Sequence, residues 1–386
     1  MIIRLCNIIA CFPICALLLS CASNSNIVSD IKYVHWGGSE RMVYDTTLFS
    51  KCREVCLETV EGGLIGSVDK IVEADNNLYI LDRRNYLVFI FNSEGKYVKT
   101  INRKGRGRGE YLRLFDMCFD TDSKRILLLA EPSEILFFDK YGNYIQQKRV
   151  DKYYTDIATD SLYIYLYNST FSNYKEPQYT VEALKKGSRN SVKILPFEKE
   201  YAPFCTIGSK LYSSYGKIMF TRKFDNVIYE VKNGDLTTGH ELDLAEFSFP
   251  TNKLDKTYDC RDLTLLCAKN RWVYCFNKII NSNETMLFSS NLDGVFVYLI
   301  QPKICKYYDF IRTTYFGIPI DKKSFLPIEG KSGELCFVDT PEDFIRLAEI
   351  ANEDSSISSK ANGRFYQKLK RVKEGDNPTL LIYTIK

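Results

Sequence analysis

Residues 68–97, VDKIVEADNNLYILDRRNYLVFIFNSEGKY, can be laid without a gap over residues 115–144, FDMCFDTDSKRILLLAEPSEILFFDKYGNY, at a constant offset of 47. Asp69 falls on Asp116, Asp75 on Asp122, Leu81 on Leu128, Phe91 on Phe138, Gly95 on Gly142 and Tyr97 on Tyr144. Composition alone gives about two such matches, and here the apolar runs and the turn residues keep step as well. A repeat of this length, filled with short strands and turns, is the signature of radially arranged β-sheets, the blades of a propeller.

The first copy reads as four strands, at 68–74, 78–81, 86–91 and 96–101, separated by Asp75-Asn76-Asn77 and Ser93-Glu94-Gly95. Asn, Asp and Gly are the residues that tolerate left-handed dihedrals or cap their own backbone, so tight antiparallel hairpins are expected at both places. The second copy occupies 114–150. Later copies drift: 157–167 with a strand near 192–195, then 211–244 with strands at 217–221 and 227–231, then 263–304 with strands at 272–276, 285–289 and 294–300. For the last unit, 334–338 and 379–385 supply two strands and 52–59 a third from the other end of the chain. Mixing both ends in one sheet would lock the ring and remove its open edges. The expectation is therefore an all-β fold, a six-bladed β-propeller of four-stranded antiparallel blades over residues 46–386. A helical insertion is expected in the last blade at about 340–373. Thr340-Pro341-Glu342-Asp343 opens it with a capping hydroxyl, a proline and two acids, and 359–373 forms its second helix.

Upstream, Arg4 precedes an apolar stretch, 5–19, long enough for an export signal but short of a membrane span. It ends Leu18-Leu19-Ser20-Cys21, which resembles a bacterial lipobox. Residues 1–20 are thus expected to be a signal peptide, Cys21 the lipidated residue, and 21–45 a lipid-anchored linker. Several acyl chains at Cys21 would hold the protein at a bilayer. Basic and acidic side chains number 52 and 48, and this near balance carries no nucleic-acid footprint. Only His35 and His240 are present, too few for a repeated histidine metal centre. Nine cysteines follow Cys21 with irregular spacing and no Cys-x-x-Cys pair, which reads as buried free thiols in a reducing setting.

Candidate sites are few. Arg103-Lys104-Gly105-Arg106-Gly107-Arg108-Gly109-Glu110-Tyr111 could cradle an anion on its amides and cations, with Arg103, Arg106, Arg108, Glu110 and Tyr111 as the ligand-binding set. The competing reading is a glycine-rich crossover between the first two blades. Asp69 and Asp116 either line the channel as carboxylates for a cation or cap turns. No Gly-x-Ser-x-Gly elbow is present and neither histidine has an evident nucleophile beside it, so no catalytic residue and no metal ligand is assigned, and no cofactor is expected.

The succession Asn76-Asn77-Leu78-Tyr79-Ile80-Leu81-Asp82, Phe91-Asn92-Ser93-Glu94-Gly95-Lys96-Tyr97 and Gly105-Arg106-Gly107-Arg108-Gly109-Glu110-Tyr111 resembles the six-bladed β-propeller lipoproteins of Bacteroides and relatives, distant kin of NHL-repeat propellers. Phe224-Asp225-Asn226-Val227-Ile228-Tyr229 and Asp376-Asn377-Pro378-Thr379-Leu380 extend the similarity over most of the chain. Arg108 departs from it, standing where the family has proline. The resemblance implies fold and lipid anchoring but no activity. The expected function is a membrane-anchored, non-catalytic binding or scaffolding propeller that recognises a glycan, a peptide or an envelope protein. It would sit on the periplasmic face of the outer membrane, surface exposure being the other leaflet choice. The alternative is a metal-dependent propeller enzyme of lyase or lactonase type.

Overall fold

The computed structural model describes residues 28, 30–168, 179–196, 210–214, 216–253, 259–331, 333–353 and 355–386. Its secondary structure is dominated by short β-strands, and the molecule is propeller-like.

The 47-residue repeat holds at the level of individual hydrogen bonds. In the first copy Gly95 N donates to Asn92 O at 2.9 Å, and Lys96 N donates to Asn92 Oδ1 at 2.8 Å. In the second, Gly142 N donates to Asp139 O at 3.0 Å and Asn143 N to Asp139 Oδ1 at 2.8 Å. Gly95 and Gly142 adopt φ of 85° and 78°, the left-handed turn conformation that a Cβ disfavours. Beyond each turn, Tyr97 sets its ring edge-on to Phe91 at 5.9 Å, and Tyr144 does the same to Phe138 at 5.9 Å. The four strands Lys70–Ala74, Asn77–Asp82, Leu87–Asn92 and Tyr97–Ile101 pair in sequence order, as do Arg113–Asp120, Arg125–Glu131, Glu134–Asp139 and Tyr144–Arg149.

Further along, consecutive meanders run from Asp156–Thr159 to Ser191–Pro196, from Leu211–Ser214 to Asp235–Leu242, and from Phe276–Asn281 to Ile304–Thr313. The strands at the starts of these meanders, together with Lys70–Ala74, Arg113–Asp120 and Leu326–Glu329, form a closed cycle in which each lies against the next. Leu326–Glu329 completes it by pairing in parallel with Lys70–Ala74, Ile328 opposite Ile71. Apolar clusters fill the space between successive meanders. Leu81 and Ile90 meet Leu128 and Phe138, Ala158 and Tyr165 meet Phe220 and Tyr229, and Met219 and Ile228 meet Phe288 and Phe296. The last cluster brings Leu380 and Ile382 against Leu78, Ile80 and Phe89, so the end of the chain packs on its beginning. Fully burying each such side chain contributes about 1.5–3 kcal/mol.

The junction of the chain ends is built as expected. Phe49–Cys56 runs antiparallel to Thr379–Ile385, which in turn pairs with Glu334–Asp339. Buried Asn377 fastens the two: its Oδ1 accepts from Ile65 N at 2.9 Å, and its Nδ2 donates to Glu58 O and Gly63 O at 2.9 and 2.8 Å.

Three expectations need revision. Within the segment assigned to the linker, Ile31–Tyr44 is a strand that pairs in parallel first with Asp235–Leu242 and then with Ile304–Thr313, so ordered pairing starts upstream of residue 46. Leu263, read as the start of the fifth strand unit, lies in the helix Cys260–Asn270, and no strand covers 272–275. The reason is local: the Asp259 carboxylate accepts from Arg261 N and Asp262 N, both at 2.8 Å, and caps a helix that buries Leu263 and Cys267. The insertion holds Pro341–Glu353 as expected, but its second part is two short helices, Ser355–Ser358 and Gly363–Leu369.

Candidate functional site

The cycle of strands brings charged side chains from distant parts of the chain to one end of its axis. Lys70 opens its strand, Asp116 lies three residues past the start of Arg113–Asp120, Asp156 opens Asp156–Thr159, and Lys210 directly precedes Leu211–Ser214. Lys278 comes from Phe276–Asn281, Glu329 ends Leu326–Glu329, and Arg83 reaches in from the turn after Asn77–Asp82. Together with Asp69, Tyr212 and Leu326 these groups line a cavity of about 60 Å³.

Lys70 is the hub. Its Nζ lies 3.0 Å from Asp116 Oδ2 and 3.0 Å from Glu329 Oε1, with Asp116 only 1% and Glu329 6% exposed at the side chain. Burial alone would lower the Lys70 pKa, but the two carboxylates outweigh it and hold the ammonium above the ordinary lysine value. Glu329 moves the same way for a different reason: burial first, then the Asp116 charge, push its carboxyl up to about 7 against the pull of Lys70. Asp156 is also raised, by burial and by Asp116. Lys210 is lowered by burial, and Lys278 by burial and the nearby Lys210. Burial thus favours the neutral forms of Asp156, Glu329, Lys210 and Lys278, while Lys70, held by two carboxylates, favours its charged form.

At the other end of the same strands a larger cavity, about 510 Å³, is lined by Thr121, Asp122, Thr159, Ser161, Ser213 and Asn233 among others. Glu329 lines both cavities. Cys118 lies on the floor of the wide one; burial drives its thiol well above the ordinary cysteine value, which keeps it protonated and poorly nucleophilic. Among the described residues, no group of three or more His, Cys, Asp or Glu stands in an arrangement that could hold a metal ion.

The sequence-derived candidates lie away from this axis. Arg103 Nε donates to Gly109 O at 2.7 Å, and its guanidinium covers the Tyr144 ring at 5.0 Å. Tyr111 is fully buried and donates to Tyr86 O at 2.8 Å. Glu110 Oε2 accepts from Gly107 N at 2.7 Å, so the glycine loop already holds an anion of its own. Arg106 and Arg108 are exposed. The structure thus brings Arg103, Glu110 and Tyr111 together as the crossover between the first two meanders. Cys21 lies outside the described residues.

The two repeat-related aspartates part company. Asp69 Oδ2 accepts from Arg83 N at 2.8 Å and from Ser67 Oγ at 2.5 Å, capping a turn, whereas Asp116 is buried against Lys70. His240 is buried, with Nε2 3.0 Å from Glu230 Oε1 and Nδ1 3.4 Å from the Tyr298 hydroxyl. His35 is exposed. Sequence reasoning missed Lys70, Arg83, Asp156, Lys210, Lys278 and Glu329. The usable signal was that Lys70 follows the repeated Asp69, at the start of an inner strand.

Residues 39–384 match the family described as "Domain of unknown function (DUF4934)". Among solved structures, a Bacteroides fragilis protein described as exported superposes with a TM-score of 0.71 at 15% identity, covering 92% of this chain and 100% of that one. A member of the DUF4221 family from Bacteroides vulgatus superposes with a TM-score of 0.51 at 10% identity, covering 88% and 97%. At these identities the likeness is one of fold. No curated protein sequence matches the chain.

Proposed function

The chain belongs to the DUF4934 family, and from that premise we propose that it is an exported, lipid-anchored binding protein built as a ring of six four-stranded blades. The ring reading rests on the closed cycle of inner strands and on the final sheet, which takes Phe49–Cys56 from one end of the chain and Thr379–Ile385 from the other. Cys21 carries the acyl chains, and the protein faces the periplasm from the outer membrane. Labelling cells with an alkyne-bearing fatty acid tests the anchor: Cys21→Ser should lose the label and leave the membrane fraction. Protease shaving of intact cells tests the leaflet, and cleavage would place the protein on the outside.

The function is recognition of a polar ligand, a glycan, a peptide or a segment of an envelope protein, without catalysis. The observation that carries this reading is the wide axial cavity, about 510 Å³ and rimmed by hydroxyl, amide and charged side chains. Such a concave surface with convergent polar groups is the ordinary form of a binding site. The metal-dependent alternative gains nothing specific from the axis, where Lys70 takes up both Asp116 and Glu329. Titration of the purified mature protein with envelope glycan fractions and secreted peptides, with a parallel pull-down from envelope extracts, tests the proposal. Specific binding lost in a Thr121→Trp, Ser161→Trp double variant of unchanged melting temperature supports it. Absence of any specific ligand, or binding indifferent to the double variant, contradicts it.

A further inference from the structure

We infer that the narrow, charged end of the axis is a second binding site, for a small carboxylate that carries a hydrogen-bond donor beside its carboxyl group, as hydroxy acids and amino acids do. The inference goes beyond the proposed recognition at the wide cavity, and of the residues it uses only Glu329 also lines that cavity.

Its starting point is a set of buried polar atoms that the protein leaves without partners. Asp116 Oδ2 is fully used, accepting from Lys70 Nζ and from Ile157 N at 3.0 Å each. Asp116 Oδ1, equally buried, accepts no hydrogen bond, and its nearest cation, Arg83 Nη2, stands off at 3.6 Å. Arg83 Nε is buried and donates to nothing. Lys210, half-buried on the same cavity wall, feels the charges of Asp156 and Asp116 across the cavity. Lys278 donates one N–H to Ser324 Oγ, and burial together with the Lys210 charge lowers its pKa.

Nine buried polar groups in ten are satisfied in folded proteins, and each that is not costs about 1–3 kcal/mol, so an unpaired donor and an unpaired acceptor on one cavity, Arg83 Nε and Asp116 Oδ1, point to a missing guest. The guest must bring acceptors for Lys210 and Arg83 and a donor for Asp116 Oδ1. A carboxylate with a neighbouring hydroxyl or ammonium supplies both. A divalent cation would satisfy Asp116 but would face Lys70, Arg83, Lys210 and Lys278. A phosphate would satisfy the cations but, as a dianion, would set two negative charges against Asp116. The volume agrees: about 60 Å³ admits a group of carboxylate size, roughly twice the share of one water molecule in the liquid. Four carboxyl groups, Asp69, Asp116, Asp156 and Glu329, face four basic groups, Lys70, Arg83, Lys210 and Lys278, and burial favours the neutral forms of Asp156, Glu329, Lys210 and Lys278 alike, so a guest carboxylate would also hold the two lysines in their charged forms.

Calorimetric titration of the purified mature protein at pH 6.5 with glycolate, glycine, acetate and inorganic phosphate tests the assignment. Glycolate or glycine should bind, and whichever does identifies the donor as hydroxyl or ammonium. Acetate, which lacks it, should bind at least about tenfold more weakly, and phosphate more weakly still. Lys210→Met should abolish glycolate and glycine binding while the melting temperature holds or rises, because burial is the largest influence on Lys210 and disfavours its charge more than Asp156 and Asp116 support it. A structural role for Lys210 would instead lower the melting temperature. No heat from any of the four probes at tens of millimolar overturns the inference, as does equal affinity for glycolate and acetate, or binding unchanged in both Lys210→Met and Arg83→Met. Because the Thr121→Trp, Ser161→Trp variant leaves the narrow end intact, it should bind the probe as wild type does, which separates failure here from failure at the wide cavity.

Discussion

The sheet at residues 70–101 and the sheet that joins Phe49–Cys56 to 326–385 have the same kind of strands and opposite ways of being assembled. In the first, each strand meets the next through a tight turn, and its hairpin bonds close over four or five residues. In the second, the decisive pairing is between Phe49–Cys56 and Thr379–Ile385, which lie more than 320 residues apart. Local hairpins can form early, because little loop entropy opposes them; the distant pairing can form only once the intervening meanders have brought the ends together. The first sheet is thus a repeating unit, and the second is the fastening that turns a row of units into a ring.

The largest expected effect breaks the fastening. Deleting residues 49–56 exposes Leu380, Ile382 and Tyr383 along a new edge, and at about 1.5–3 kcal/mol per buried apolar side chain the loss approaches the whole stability of a domain. A circular-dichroism melt should show no cooperative transition. Next comes the axis, where the two repeat-related aspartates separate a buried ion pair from a turn cap. Asp116→Ala removes one of the two buried carboxylates that hold Lys70, and the acceptor of Ile157 N, and should cost about 3–5 kcal/mol, while Asp69→Ala, which loses two hydrogen bonds at a turn, should cost about 1–2 kcal/mol; urea titration of both variants checks the ratio.

A finer contrast lies in two asparagines. Asn377 ties residues more than 300 positions upstream through buried hydrogen bonds, whereas Asn92 closes its own exposed hairpin. Asn377→Ala should cost about 2–3 kcal/mol and Asn92→Ala about 1 kcal/mol by the same measurement. The last contrast is one of pH. The Glu329 carboxyl has a folded-state pKa of about 7, above the unfolded value of 4.5, so the folded chain holds its proton longer. Stability from this group is therefore fully present below pH 4.5, declines as pH rises towards 7, and stays low above it, by up to about 3 kcal/mol. In Glu329→Gln that part of the decline should vanish from the curve of unfolding free energy against pH.

What could be read in the chain follows the same division. The hairpins at Ser93-Glu94-Gly95 and Lys140-Tyr141-Gly142 were legible because turn chemistry is local, and the Cys52 region was recognised because an incomplete last sheet demanded a strand. Ile31–Tyr44 was not recognised. It pairs in parallel with strands some 200 and 270 residues away, and its sequence, with Gly37-Gly38 and charges throughout, lacks the alternation of a half-buried strand. The axial site was the least legible part. Asp116 was singled out through the repeat, but its partners Lys70, Lys210 and Glu329 come together only by ring closure, and in the drifted later copies no period points to them. The glycine-rich Arg103 to Tyr111 segment drew notice because its signal is compositional, and the structure spends Arg103, Glu110 and Tyr111 on holding the crossover.

Amide hydrogen exchange tests the closure most directly. In a closed ring the amides of Phe49–Cys56 and Thr379–Ile385 that bond across the junction should exchange only through global unfolding, with the same free energy as those of Asn77–Asp82 in the local sheet. Exchange at the junction orders of magnitude faster than in Asn77–Asp82 would mean that the chain ends are not fastened, and the shared axis with both of its cavities would lose its foundation.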